Sequence, residues 1–138
     1  MAFIGAGGIA GAHMNYLSKM KDVELVAAAD VILENVEKRC EEFSIEEAFT
    51  DYKRMLKSVN PDAVSVCTPN GMHAPCSIDA LNAGAHVIVE KPLAMNAREG
   101  TRMLAAAKKN RRKLVIGFQY RFDSKTSFIK NAVDSGQL

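Results

Sequence analysis

Ala2-Phe3-Ile4-Gly5-Ala6-Gly7-Gly8-Ile9-Ala10 opens the chain with a short apolar run that passes directly into glycines and then into a helical pattern. Gly5, Gly7 and Ala10 stand in the spacing G-x-G-x-x-G/A between a predicted strand and a predicted helix. In that context Gly5 permits a tight turn, Gly7 lets the backbone approach a pyrophosphate, and the small Ala10 allows close packing of helix on strand. The helix begins near Gly8, so free N–H groups at Gly8 and Ile9 and the positive end of the dipole favour an anion there. A glycine turn serving chain geometry alone is the competing reading, and the strand, the helix and a downstream acid argue against it. That acid is Asp30, twenty positions after Ala10. It ends an apolar run and can accept hydrogen bonds from ribose hydroxyls while repelling a 2′-phosphate, which favours NAD over NADP. Asp30 is equally placed to cap the helix that follows it.

Beyond this stretch, strand-like and helix-like patterns alternate, the mark of βαβ units and a parallel sheet. The expected strands are 2–4, 23–29, 48–50, 63–67, 86–90 and 113–118. The expected helices are one carrying Ile9, His13, Leu17 and Met20 on its inner face, one carrying Leu33, Val36, Cys40 and Phe43, and others over 52–58, 73–82, 96–110 and 124–135. Asn96 has the side chain to cap its helix, and Gly84 suits the position just past the end of another. The fold expected is α/β, a doubly wound, mostly parallel sheet of Rossmann type in a single domain.

Composition excludes several classes. With 138 residues, 48% of them hydrophobic and 25% charged, the chain has the balance and size of one ordinary globular domain. Its longest apolar runs are far too short to span a bilayer, and the N-terminus shows no secretory pattern, so a cytoplasmic location is expected. Cys40, Cys67 and Cys76 lack metal-ligand or C-x-x-C spacing and read as reduced, packed thiols. A net charge of +2 is too small to make nucleic acid or a membrane surface the expected partner. The cluster Lys108, Lys109, Arg111, Arg112 and Lys113 lies at a helix end, where cations complement the dipole, and no aromatic residues interleave with it.

Further chemistry-bearing residues fall at predicted strand ends. Thr68-Pro69-Asn70 follows one strand, with His73 at the start of the next helix, and this loop shares an edge with the glycine turn. Asn70 offers donors and acceptors; His73 either contacts a ligand or starts its helix. His13 reads as a satisfied core histidine, His86 as a residue of the opposite edge, and Arg39 as surface charge. Glu90-Lys91-Pro92 closes another strand. Lys91 has three readings there: a solvated lysine, a partner for Glu90, or a proton donor and electrostatic stabiliser for an oxygen that gains charge as hydride moves. Pro92 constrains the backbone after it, and its peptide bond is a candidate for cis.

Taken together, Gly5 to His13, Cys67-Thr68-Pro69-Asn70 with His73, Val89-Glu90-Lys91-Pro92-Leu93-Ala94 and Gly117-Phe118-Gln119-Tyr120-Arg121-Phe122 resemble the glucose-fructose oxidoreductase/inositol dehydrogenase (Gfo/Idh/MocA) family, whose Glu-Lys-Pro motif follows a Rossmann fingerprint. The resemblance implies that Lys91 assists proton transfer at the substrate oxygen and touches the nicotinamide ribose, and that Pro92 follows a cis bond. It also implies that Glu90 and Asn70 line the nicotinamide pocket and that Arg121 lies near cofactor or substrate. The reaction implied is hydride transfer between nicotinamide and a sugar, polyol or related carbinol. A glycosidase using bound NAD for transient oxidation belongs to the same family, and a non-catalytic nucleotide-binding module is the alternative from another class. The family's substrate domain, with its Asp-x-x-x-His pair, has no counterpart in this chain. The expected layout is therefore a cofactor domain over 1–122 and, over 123–138, a helix leading toward an absent second domain, with both ends trimmed as in a fragment. Apolar surface left bare by that absence makes a homo-oligomer an expectation too.

Overall fold

The computed structural model describes residues 1–138. Strand β1 (Ala2–Ile4) runs into the glycine turn and helix α1 (Gly8–Leu17), then β2 (Ala27–Ala29), α2 (Leu33–Phe43), β3 (Glu47–Phe49) and α3 (Tyr52–Val59). The second half contributes β4 (Ala63–Val66), α4 (His73–Asn82), β5 (His86–Val89), α5 (Ala97–Asn110), β6 (Leu114–Ile116) and α6 (Ser124–Asp134). All six strands pair in parallel, in the order β3-β2-β1-β4-β5-β6. The chain winds outward from β1 through β3, crosses back beside β1 as β4, and winds outward again. That reversal opens a crevice between the carboxyl ends of β1 and β4, the place where doubly wound sheets bind ligands.

Strand alternation sets the two cores. Phe3 and Ala28 point to one face and pack with Ala10 and Met14 of α1 and Val36 and Cys40 of α2. Ala2, Ile4, Val64, Val66, Val87 and Val89 point to the other, against Met55 of α3, Leu81 of α4 and Met103 of α5. Burial on both faces is what parallel strands require, and it explains why these strands read as continuous apolar runs. Helix ends follow the local sequence: Asn96 accepts from the Glu99 amide at 3.0 Å, Asp51 from Lys53, and Asp123 from Thr126. Gly84, at φ +93°, follows α4 as expected.

Four expectations needed correction. The strand expected over 23–29 is only Ala27–Ala29: the ladder pairs these three residues with Ala2–Ile4, and ahead of it Val26 N–H to Met1 O and the Met1 amine to Glu24 O are isolated bonds that do not extend the ladder. The strand expected over 113–118 narrows to three residues on the outer edge of the sheet. In α1 the buried face is Ala10, Gly11 and Met14, while Ile9 and Met20 are exposed and Met20 lies past the helix end; small residues let this helix approach the sheet more closely than the expected stripe would. In α2, Leu33 is exposed, and the buried positions are Val36 and Cys40, which pack with Phe3 and Ala28 of the sheet. No helix is long and apolar enough to cross a membrane.

Candidate functional site

The glycine turn is held at both sides of β1. Gly5 N–H donates to Ala29 O and Cys67 N–H to Ile4 O, each at 2.8 Å. Gly5 adopts φ +93°, and a Cβ there would sit 2.5 Å from the carbonyl oxygen of Cys67. Around Gly7 and Gly8 the situation is opposite, for an added Cβ would meet nothing within 4 Å. The helix's first bond runs from Gly11 N–H to Gly7 O, which leaves the N–H groups of Gly8, Ile9 and Ala10 without helical acceptors.

Asp30 does two jobs. One carboxylate oxygen accepts from Ala6 N–H at 2.8 Å, and the other from Ile32 N–H at 3.0 Å at the entrance to α2. Two contacts leave lone pairs open, since a carboxylate has about four acceptor sites. Gly5, Gly7, Asp30, Thr68 and Pro69 together line a cavity of about 430 Å³ at the β1/β4 crevice. The Thr68 hydroxyl is buried there with no protein partner. Open backbone at the turn, unpaired N–H groups, an acceptor with spare capacity and an orphan hydroxyl make a chemically sensible cradle for a dinucleotide.

Beside this cavity lies a polar network that sequence reading missed. His13 Nδ1 is 2.9 Å from Ser65 Oγ and its Nε2 is 3.0 Å from Glu90 Oε1, so one imidazole of α1 links β4 to the end of β5. Glu90 is only 7% exposed, and its other oxygen accepts from the Lys91 amide at 3.2 Å. A Cβ on Gly117 would stand 2.8 Å from Glu90 Oε1, so the backbone just after β6 also closes on this carboxylate. The available signal was Ser65, a polar residue inside an otherwise apolar strand. Removing the imidazole strands a buried carboxylate, so His13→Ala is expected to cost about 2–4 kcal/mol in urea unfolding. Adding Glu90→Gln should recover part of that loss; a single variant as stable as the parent would rule the network out as a stabilising element.

Lys91 stands exposed at the carboxyl end of β5, and its ammonium makes no ion pair. The reading in which it partners Glu90 is therefore corrected: Glu90 engages His13 and the Lys91 backbone instead. The Lys91–Pro92 bond is cis. His73, 1% exposed, places Nδ1 2.7 Å from Pro92 O and Nε2 2.9 Å from Thr68 O, and so ties the Thr68 loop to the Lys91 loop. Asn70 begins a short 3-10 turn and is exposed. His86 accepts from Lys113 N–H at the far edge. Arg121 lies away from the cavity, lining a groove with Tyr120, Thr126, Ser127 and Lys130. Arg39, read as surface charge, is corrected as well: its guanidinium lies beneath the glycine turn, 3.3 Å from Ala6 O and 3.4 Å from Gly7 O.

The thiols are packed, as expected. Burial pushes Cys67 and Cys76 up to about 11 and raises Cys40 too. Protonated at neutral pH, these groups have little nucleophilic character. Tyr52, at the cavity wall, is raised by burial and by its bond to Asp79, at 2.8 Å.

Residues 1–118 match the model of the Gfo/Idh/MocA oxidoreductase family, NAD-binding Rossmann fold. The chain is 37% identical, over all of its length and 40% of the relative's, to D-glucoside 3-dehydrogenase of Escherichia coli K12. It is 33% identical to myo-inositol 2-dehydrogenase of Thermotoga maritima, covering 98% of this chain and 40% of that one. Among solved structures, scyllo-inositol dehydrogenase of Lactobacillus casei with bound NAD(H) and scyllo-inositol superposes with a TM-score of 0.89 at 29% identity, over 99% of this chain and 41% of the other. The chain thus spans about 40% of the length of these relatives. With the parallel sheet, the crevice and the glycine turn all in register with that match, the chain belongs to the Gfo/Idh/MocA oxidoreductase family and forms its NAD-binding Rossmann domain.

Proposed function

We propose that this domain binds NAD, in preference to NADP, and serves an oxidoreductase that moves hydride between nicotinamide and a carbinol of a sugar or polyol. The observation that carries the proposal is the convergence of the glycine turn, Asp30 and the Thr68 loop on one cavity, with Lys91 two strands away on the same edge. The pyrophosphate sits against Gly7, Gly8, Ile9 and Ala10, where N–H groups are free. Asp30 takes the adenosine ribose hydroxyls, and Thr68, Pro69 and Asn70 line the path toward nicotinamide. Bound nicotinamide supplies the hydride chemistry; the protein's part is to hold and protonate. Lys91 gives or accepts the proton at the carbinol oxygen, and Glu90, Pro92 and His73 fix the loop that carries it. Arg121 faces whatever occupies the substrate side.

Residues 1–122 form the cofactor domain in this reading, and the helix over 123–138 leads toward a second, substrate-holding domain. That helix buries only Ala132 and exposes Phe128, Ile129 and Val133. Such a bare apolar face also fits self-association into a homo-oligomer.

Titration with NADH and NADPH, followed by nicotinamide fluorescence, tests the cofactor reading directly, since the chain has no Trp to interfere. A 2′-phosphate beside Asp30 places like charges together, so NADH is expected to bind at least about tenfold more tightly than NADPH. Binding of neither dinucleotide would sink the proposal, and equal binding would sink the preference.

A further inference from the structure

We propose that Arg39 aims the pyrophosphate donors of the glycine turn from behind, and that residue 11 is glycine because the guanidinium needs its space. The proposal deepens the dinucleotide reading above and rests on it. Arg39 projects from α2 with a side chain only 18% exposed. Its Nε lies 3.3 Å from Ala6 O, one terminal nitrogen 3.4 Å from Gly7 O, and the other 2.5 Å from Glu42 Oε2. These two carbonyls belong to the peptide units whose nitrogen ends are Gly7 N–H and Gly8 N–H. A trans peptide is planar with C=O and N–H pointing in opposite directions, so fixing each oxygen fixes the direction of the N–H across the bond. Neither of those N–H groups has an acceptor within the protein. Hydrogen bonds at the oxygen end also polarise the peptide and strengthen donation at the nitrogen end. Meanwhile Ala6 N–H is held by Asp30, so successive peptide units of the turn are gripped from the end of β2 and from α2.

Gly11 completes the arrangement. A Cβ on it would lie 2.6 Å from Arg39 Cζ and within 2.9 Å of both terminal nitrogens. Glycine inside a helix is destabilising relative to alanine, so its presence in α1 asks for a local reason. The seated guanidinium is one. Because the obstruction is the flexible end of a side chain, Gly11→Ala should displace Arg39 and leave the backbone intact.

The experiment measures NADH and ADP affinity and thermal stability for the chain and for Arg39→Ala, Arg39→Lys, Gly11→Ala and the Arg39→Ala/Gly11→Ala pair. Arg39→Ala and Gly11→Ala are each expected to weaken both ligands about tenfold, the worth of one good charged hydrogen bond. Arg39→Lys, which keeps the charge but loses the planar fork, should fall between them and the parent. Gly11→Ala should melt no lower than the parent while binding worse, a split that a purely structural role does not produce. In the Arg39→Ala background, Gly11→Ala should change nothing further. Parent-like affinity in Arg39→Ala and Gly11→Ala, in a chain that does bind NADH, overturns the role of Arg39. A further loss from Gly11→Ala when Arg39 is absent also overturns it, since the methyl would then be blocking the ligand itself. Failure of the parent to bind either ligand removes the dinucleotide reading, and this proposal with it.

Discussion

Gly5→Ala is expected to lower stability by about 3 kcal/mol or more and to abolish NADH binding. Two costs combine. A side chain at φ +93° forces strained backbone, typically about 1–3 kcal/mol. Its Cβ would then press within 2.5 Å of the Cys67 carbonyl oxygen, and that is backbone of the adjoining strand, unable to yield as a side-chain tip can. Relief requires β1 and β4 to part where Cys67 N–H bonds Ile4 O, and this is the seam that forms the crevice. Urea unfolding and NADH titration check both halves. Gly7→Ala is the control, because its Cβ meets open space within the protein: its fold should hold, and only ligand affinity should drop. A Gly5→Ala domain as stable as the parent would show that the turn relaxes more easily than its geometry implies.

Lys91→Ala is expected to leave NAD affinity within about threefold of the parent while turnover in a complete oxidoreductase carrying this domain falls about a hundred- to ten-thousandfold, the range typical of losing a positioned general acid or base. The reason lies in how lightly Lys91 is tied. It makes no ion pair, and the loop beneath it is secured by groups that the substitution leaves alone, namely Glu90 on the Lys91 amide and His73 on Pro92 O. The change should therefore remove a proton carrier without moving its platform. Turnover that survives would assign the proton to another group, or reduce Lys91 to a charge that neutralises phosphate. A variant that loses NAD affinity in parallel with turnover would place the ammonium on the cofactor instead.

Which parts of this were legible beforehand depended on how local the cause was. The glycine turn, Asp30 and the caps at Asn96 and Gly84 are decided within a few residues by φ preferences and side-chain reach, and they stand where the pattern put them. The α1 face was misjudged because periodicity reports which residues are apolar, whereas the sheet selected the side on which Ala10 and Gly11 permit close approach. The strand expected over 23–29 narrowed for a related reason: an apolar run does not by itself supply a ladder partner, and the ladder with β1 covers Ala27–Ala29 alone.

Arg39 shows the same limit at the site. In sequence it is one charge in the run Glu37-Lys38-Arg39-Cys40-Glu41-Glu42, and nothing there distinguishes it from its neighbours. Only the packing of α2 against α1 brings it under the turn. His13 and Glu90 are 77 positions apart, and no spacing rule connects them.

Sequence alone determined the alternation of strands and helices, the phosphate-type turn with its downstream acid, and the strand-end lysine, because each is written in adjacent residues whose backbone or side-chain chemistry has few uses. Tertiary structure alone decided what supports them: the guanidinium behind the turn, the imidazole that engages the buried Glu90, and the histidine that joins two loops. Those contacts join residues distant in the chain through a sheet order that places β4 beside β1, and hydrogen bonds of this kind exist only once folding has brought donor and acceptor within about 3 Å.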